Sequence, residues 1–155
     1  MNKSGLVFFV ALAALAFSAC RLFQDQSAQD VEAKAQEMDQ RAKESQTLTS
    51  RAKIEEALGA YVKEQGKIPA SLKDLVPKYL AVIPAVELGL SAHRDTARVT
   101  IYQSSILRDG QIDGSKIDDR GGWGYVFNDR QVVVFVDCTH QSSRGRGWYL
   151  ERDVY

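Results

Sequence analysis

Three hydrophobic rhythms succeed one another along the chain. From Leu6 to Ala19 there is an uncharged, mostly apolar run of 14 residues. As a helix it spans ~21 Å at roughly 1.5 Å per residue, short of the ~30 Å hydrocarbon core of a bilayer. With Lys3 ahead of it and small residues at its end, it has the build of an export signal rather than a membrane span. Ser27-Ala28-Gln29-Asp30 then has the spacing of an N-terminal capping box, and from there to Gln65 Gly59 alone interrupts a stretch otherwise free of glycine and proline. The pattern predicts one long helix. Its first part, 27–51, is polar, with acid before base at Asp30 and Lys34, Glu37 and Arg41, and Asp39 and Lys43. Such i, i+4 pairs contribute a few tenths of a kcal/mol each. In its second part Ile54, Ala57, Leu58 and Tyr61 share one face, the mark of a helix buried against a partner element. Gln65-Gly66 supplies the stop.

The rhythm then shortens. Ser71 with Asp74 caps a brief helix that Pro77 ends, and Tyr79 to Ile83 continue as an apolar segment to Pro84. The stretch 87–96 reads as a loop, Val99-Thr100-Ile101-Tyr102 as a strand, and the Gly- and Asp-rich stretch 109–122 as turn or loop. Trp123, Tyr125 and Phe127 alternate with Gly124 and Val126, and Gln131 to Val136 returns after Asn128-Asp129-Arg130, so an antiparallel hairpin is expected. After a polar bend at 139–147, Trp148-Tyr149-Leu150 is expected to be a third short strand. The fold class is therefore α+β, a long N-terminal helix on a small antiparallel β-sheet.

Composition narrows the partners. The chain has 155 residues, 45% of them hydrophobic, with 20 basic and 20 acidic side chains. A net charge of zero gives no electrostatic basis for nucleic-acid binding. Arg144-Gly145-Arg146-Gly147, two arginines in one loop, fits a solvated turn better than a nucleic-acid contact. With two cysteines and two histidines in the whole chain there is little material for a zinc framework or a disulfide scaffold.

Phe17-Ser18-Ala19-Cys20 resembles the lipobox of bacterial lipoproteins. The resemblance implies removal of 1–19, acylation of Cys20, a linker over 20–26, and a membrane attachment through lipid that several acyl chains make lasting. The alternative is an ordinary secretory signal that leaves Cys20 a plain thiol. Arg21 stands where an aspartate would often signal inner-membrane retention, which points to the outer membrane.

The region 52–155 carries a second resemblance. Leu58-Gly59-Ala60-Tyr61, Gly66, the segment from Ile68 to Leu80, Ile83-Pro84, Asp118-Asp119-Arg120-Gly121-Gly122-Trp123-Gly124-Tyr125 and the stretch from Val136 through Trp148 are similar to the type II secretion major pseudopilin and related type IV pilins. The resemblance implies a pilin-like fold and, as partners, pilus or secretion subunits. The head of the chain departs from that family: counted from Gly5, the fifth residue is Val10 where a prepilin has glutamate. Val31, Ala35, Met38 and Ala42 follow the 4,3,4 spacing of a coiled-coil seam, though mostly of alanine, so the polar helix reads either as a solvated spacer or as a face for a partner helix.

Two groups of residues have metal chemistry. Asp109-Gly110-Gln111-Ile112-Asp113-Gly114-Ser115 begins like a calcium loop, but position 12 is Arg120 where a bidentate glutamate is needed, so an EF-hand is excluded. The pseudopilin resemblance implies calcium in a C-terminal loop, for which Asp113, Asp118 and Asp119 are the oxygen donors at hand; a solvated Asp/Gly turn has the same composition. Cys138 and His140, two apart at a strand end, are candidate ligands for a soft metal. His93 is the other histidine, distant in sequence. Nucleophilic catalysis needs an orienting third group and an oxyanion site that the sequence does not nominate, so no enzyme activity is expected. The functional expectation is a lipid-anchored accessory subunit of a pilus or secretion apparatus. A stand-alone envelope lipoprotein that binds calcium or a small ligand is the alternative.

Overall fold

The computed structural model describes residues 3–129 and 131–151, with side chains from Ala28 onward. The side chains of Cys20, of the lipobox around it and of the linker lie outside what is described. Among the described residues no helix is long and apolar enough to cross a membrane. The chain divides between Met38 and Asp39 into an N-terminal helical unit and an α+β unit.

Helix α1 runs Lys3–Gln65, so Ser27 does not mark a helix start. It stops where glycine permits: Gly66 takes φ +67 and its N–H donates to the Val62 carbonyl at 2.9 Å, the left-handed cap that side chains with a Cβ avoid. The buried face begins earlier than the apolar pattern predicts. Glu44, Thr47, Leu48 and Arg51 are buried before Ile54, Ala57 and Leu58, so the exposed polar stretch ends about two turns short of the expected boundary at 51. The spacing is the same helical stripe; Glu44, Thr47 and Arg51 in it are polar because they meet loops, at Ser143, Glu87 and Glu151, while Leu48 joins the apolar core.

Strands β1 (Val99–Tyr102), β4 (Trp123–Phe127) and β5 (Val132–Val136) form one sheet in the order β1-β4-β5, and β2 (Leu107–Arg108) pairs with β3 (Gln111–Ile112) in a second. The predicted hairpin is present, with Trp123 opposite Val136 and Tyr125 opposite Val134. The all-antiparallel expectation is corrected, because β1 runs parallel to β4 and the sheet is mixed. A parallel pair needs a long return connection, and residues 103–122 supply one that carries β2, β3 and two single 3-10 turns. Trp148–Leu150 is likewise a 3-10 turn rather than a strand. Its apolar triplet serves as an anchor, with Trp148 fully buried.

The alternation of β4 and β5 sorts side chains to two cores. Trp123, Tyr125, Val134 and Val136 pack with Leu48, Ile54 and Leu58 of α1 and with Leu72, Leu75 and Val86. Val126 and Phe135 pack on the opposite face with Ile106 and Ile112. The sheet is thus covered on both sides. Gly124 lies under the Phe135 ring, where a Cβ would sit 2.2 Å from Cζ. The loop 68–84 is fixed to the sheet by Tyr125 Oη donating to the Pro69 carbonyl and Trp123 Nε1 donating to the Pro84 carbonyl, both at 2.7 Å. The expected cap of its short helix is present: Ser71 Oγ accepts from Lys73 N–H and Asp74 accepts from Ser71 N–H.

Candidate metal centre

Three connections meet at one end of the mixed sheet. The first, between Val86 and Thr96, is closed by a two-way backbone bridge at 2.9 and 3.2 Å. It is fastened to α1 by Thr47, whose Oγ1 donates to the Glu87 carbonyl and accepts from the Glu87 N–H, both at 2.7 Å. This holds His93 inward, its side chain only 10% exposed. The second is the Gly-rich approach to β4. Asp119 takes φ +55 and Gly121 φ +76, and the Gly121 N–H donates to the Asp137 carbonyl at 2.8 Å. The third is the exit from β5, where Cys138 is fully buried and His140 lies at the surface.

The side chains on these connections converge. His93 Nε2 stands 3.2 Å from His140 Nδ1 and 3.3 Å from Asp119 Oδ1. His140 Nδ1 stands 3.6 Å from the same oxygen and 3.5 Å from Cys138 Sγ. The four donor atoms all lie within 4.8 Å of one another. Around them a polar scaffold sets orientation. The Thr139 N–H donates to Asp119 Oδ1 at 2.8 Å and the Thr139 hydroxyl to Oδ2 at 2.9 Å. Buried Asp137 accepts from the Asp119 N–H at 3.1 Å and from the Tyr102 hydroxyl at 2.8 Å. Gly121 leaves room for the imidazole, since a Cβ there would come 2.6 Å from His93 Cγ.

Burial and donors set the charge states. Burial pushes the Cys138 thiol up to about 12, against a smaller opposing contribution from His140. Burial also opposes ionisation of Asp119, but the two Thr139 donors and the imidazoles outweigh it and hold the carboxyl below its usual range. Without a cation the site holds a carboxylate and a thiol beside the two histidines. A bound cation would favour the thiolate outright.

The two expected donor groups fare differently. Cys138 and His140 do come together, as their spacing suggests. The three expected calcium donors have separate partners: Asp113 accepts from Ser115 and pairs with Lys116 at 3.5 Å, Asp118 pairs with Arg120 at 2.8 Å, and Asp119 meets the histidines. Among the described residues the converging group of histidine, cysteine and acid is His93, Asp119, Cys138 and His140. His93 was not legible as a ligand, because an unpatterned loop gives no spacing to read; being one of two histidines was its only signal. Cys138 is a free cysteine and, with no exposed surface, offers no sulfur to an intermolecular bridge in the folded domain. Comparison with protein-family models, with curated proteins and with solved structures finds no match.

Proposed function

We propose that the chain is a lipid-anchored envelope protein, tethered through an acylated Cys20, whose pilin-like α+β domain makes protein contacts in a type IV pilus or type II secretion apparatus and catalyses no reaction. The observation that carries this reading is the division of labour along α1. Leu48, Ile54 and Leu58 are sunk against the sheet, as in the helix-on-sheet plan of the resembling family, whereas Val31 and Met38, on the seam spacing, are 70% and 66% exposed. Two large apolar side chains on one polar helical face suit a partner helix. The test is recovery of the full-length protein from envelope membranes. Mass spectrometry should find a triacylated Cys20 at the mature N-terminus, and crosslinking from position 38 should capture a pilus or secretion subunit. An N-methylated residue following Gly5, or an unmodified Cys20, would overturn the anchor; crosslinks confined to lipid would overturn the partner.

A second reading, a stand-alone envelope lipoprotein that binds an ion, is favoured by the convergence of His93, Asp119, Cys138 and His140. It expects a divalent cation to raise the melting temperature while no pilus or secretion subunit is crosslinked.

A further inference from the structure

The ion-binding reading can be taken further, to the class of metal and its role. A tetrahedral site with bonds of ~2.05 Å to nitrogen or oxygen and ~2.3 Å to sulfur has edges of about 3.3 Å between N or O donors and about 3.5 Å between sulfur and nitrogen. Four of the six edges are 3.2 Å for the two imidazole nitrogens, 3.3 and 3.6 Å from those nitrogens to Asp119 Oδ1, and 3.5 Å from Cys138 Sγ to His140 Nδ1; the other two, from Cys138 Sγ to His93 Nε2 and to Asp119 Oδ1, are within 4.8 Å. Protons on the thiol and on one imidazole can bridge two of these edges, whereas a dication between the four donor atoms would engage all of them together. We infer that His93, Asp119, Cys138 and His140 form a closed four-ligand site for a divalent transition metal of the zinc class, which fastens the 86–96 loop to the two ends of the β4–β5 hairpin. This inference rests on the ion-binding reading and sharpens it.

The donor set selects the metal. Calcium takes six to eight oxygens at roughly 2.3–2.6 Å, and this centre offers one carboxylate among nitrogen and sulfur. A thiolate, two imidazoles and a carboxylate are the ligands of zinc and its borderline neighbours. The number of donors selects the role. Catalytic zinc keeps a position open for water with three protein ligands, while four protein ligands close the shell. The surroundings are those of a prepared site: Thr139 fixes Asp119 through two donors, and such outer partners typically modulate metal affinity by about 10–100-fold.

The experiment uses the full-length chain in detergent, stripped with a chelator and titrated with cobalt(II) and then zinc. One cobalt per chain is expected, with the strong visible bands of four-coordination and a near-ultraviolet thiolate-to-cobalt band, both erased as zinc displaces it. Cys138→Ser should abolish the near-ultraviolet band. His93→Gln should weaken affinity by at least about 100-fold, beyond the effect of an outer partner. His140→Gln, at the exposed corner, should do the same and carries the test if the buried variants fail to fold by circular dichroism. Asp113→Asn should leave the titration unchanged. A weak six-coordinate spectrum, or one insensitive to His93→Gln and His140→Gln, overturns the site. If calcium but not zinc raises the melting temperature, the inference is wrong and the ion-binding reading survives; if no divalent cation does, both fall.

Discussion

Replacing Glu44 with alanine should be among the most damaging single changes on α1, although the position lies in the polar, charge-paired half of that helix. The carboxylate has no exposed surface. It accepts from the Ser143 N–H at 2.9 Å, from the Ser143 hydroxyl, and from Gln40 Nε2 at 3.2 Å. The Ser143 donors face the helix from a segment 99 residues away, but Ser143 is itself exposed and, like Gln40, can turn to water once the carboxylate is gone. Hydrogen bonds to a charged group are worth about 1.5–3 kcal/mol each. Because the terms overlap and the donors can be rehydrated, Glu44→Ala should cost about 2–3 kcal/mol, a sizeable fraction of the ~5–15 kcal/mol that holds a typical domain. At roughly 4 °C per kcal/mol the midpoint should fall by about 8–12 °C. Trp123 and Trp148, both fully buried, report the transition by fluorescence in thermal and urea unfolding. Ser143→Ala should cost less, and the double-mutant cycle should give a coupling of about 1–3 kcal/mol. Glu32→Ala, on the exposed stretch, should stay within about 0.5 kcal/mol of the parent. A loss below about 1 kcal/mol for Glu44→Ala, or a coupling indistinguishable from zero, would show that the helix is held by its apolar stripe alone.

The same unfolding measurements check three further expectations. Tyr125→Phe removes the donor to the Pro69 carbonyl and should cost about 1–2 kcal/mol at neutral pH. Burial raises the Tyr125 phenol above its ordinary range, so the folded state keeps a proton that the unfolded state releases above pH ~10; parent stability should fall with pH there, and Tyr125→Phe should flatten the fall. Gly124→Ala, which drives a methyl into the Phe135 ring, should cost about 1–3 kcal/mol or more, with partial rescue by Phe135→Leu; additive losses would refute the contact. Gly121→Ala meets a positive φ and the His93 ring together, so it should destabilise by about 1–2 kcal/mol and weaken cobalt binding, whereas an unchanged cobalt titration would separate the loop from the site.

Local signals survived translation into structure where one element determined them. Gly66 ends α1, Ser71 with Asp74 caps the short helix, and the period of two across Trp123–Phe127 and Val132–Val136 yields the hairpin. Signals that depend on distant partners did not. Strand composition in Val99–Tyr102 says nothing of its neighbour, and the parallel pairing with β4 is decided by the long return through 103–122. The triplet Trp148-Tyr149-Leu150 is too short for its period to separate a strand from a buried turn. Glu44 and Arg51 read as solvated because their sequence neighbours are polar, while their spatial neighbours are Ser143 and the Glu151 carbonyl. The site divides in the same way. Cys138 and His140 are near in sequence and are readable together, Asp119 reads only as a calcium donor, and His93 reaches them only through a loop whose path is set by Thr47 and the Val86–Thr96 bridge.

The burial of β4 on both faces bears on how freely the chain can drift. Trp123, Gly124, Tyr125 and Val126 are all buried, and each meets a different constraint: a carbonyl for the indole, a ring where a methyl would go, a second carbonyl for the phenol, and the packing of the far core. Residues 28–39, all exposed, meet none of these. Mutation accumulation should therefore run at two rates along one polypeptide, fast over the polar helix and slow over a strand of five residues, so that divergent copies of this protein would be aligned most securely on the strand rather than on the much longer helix.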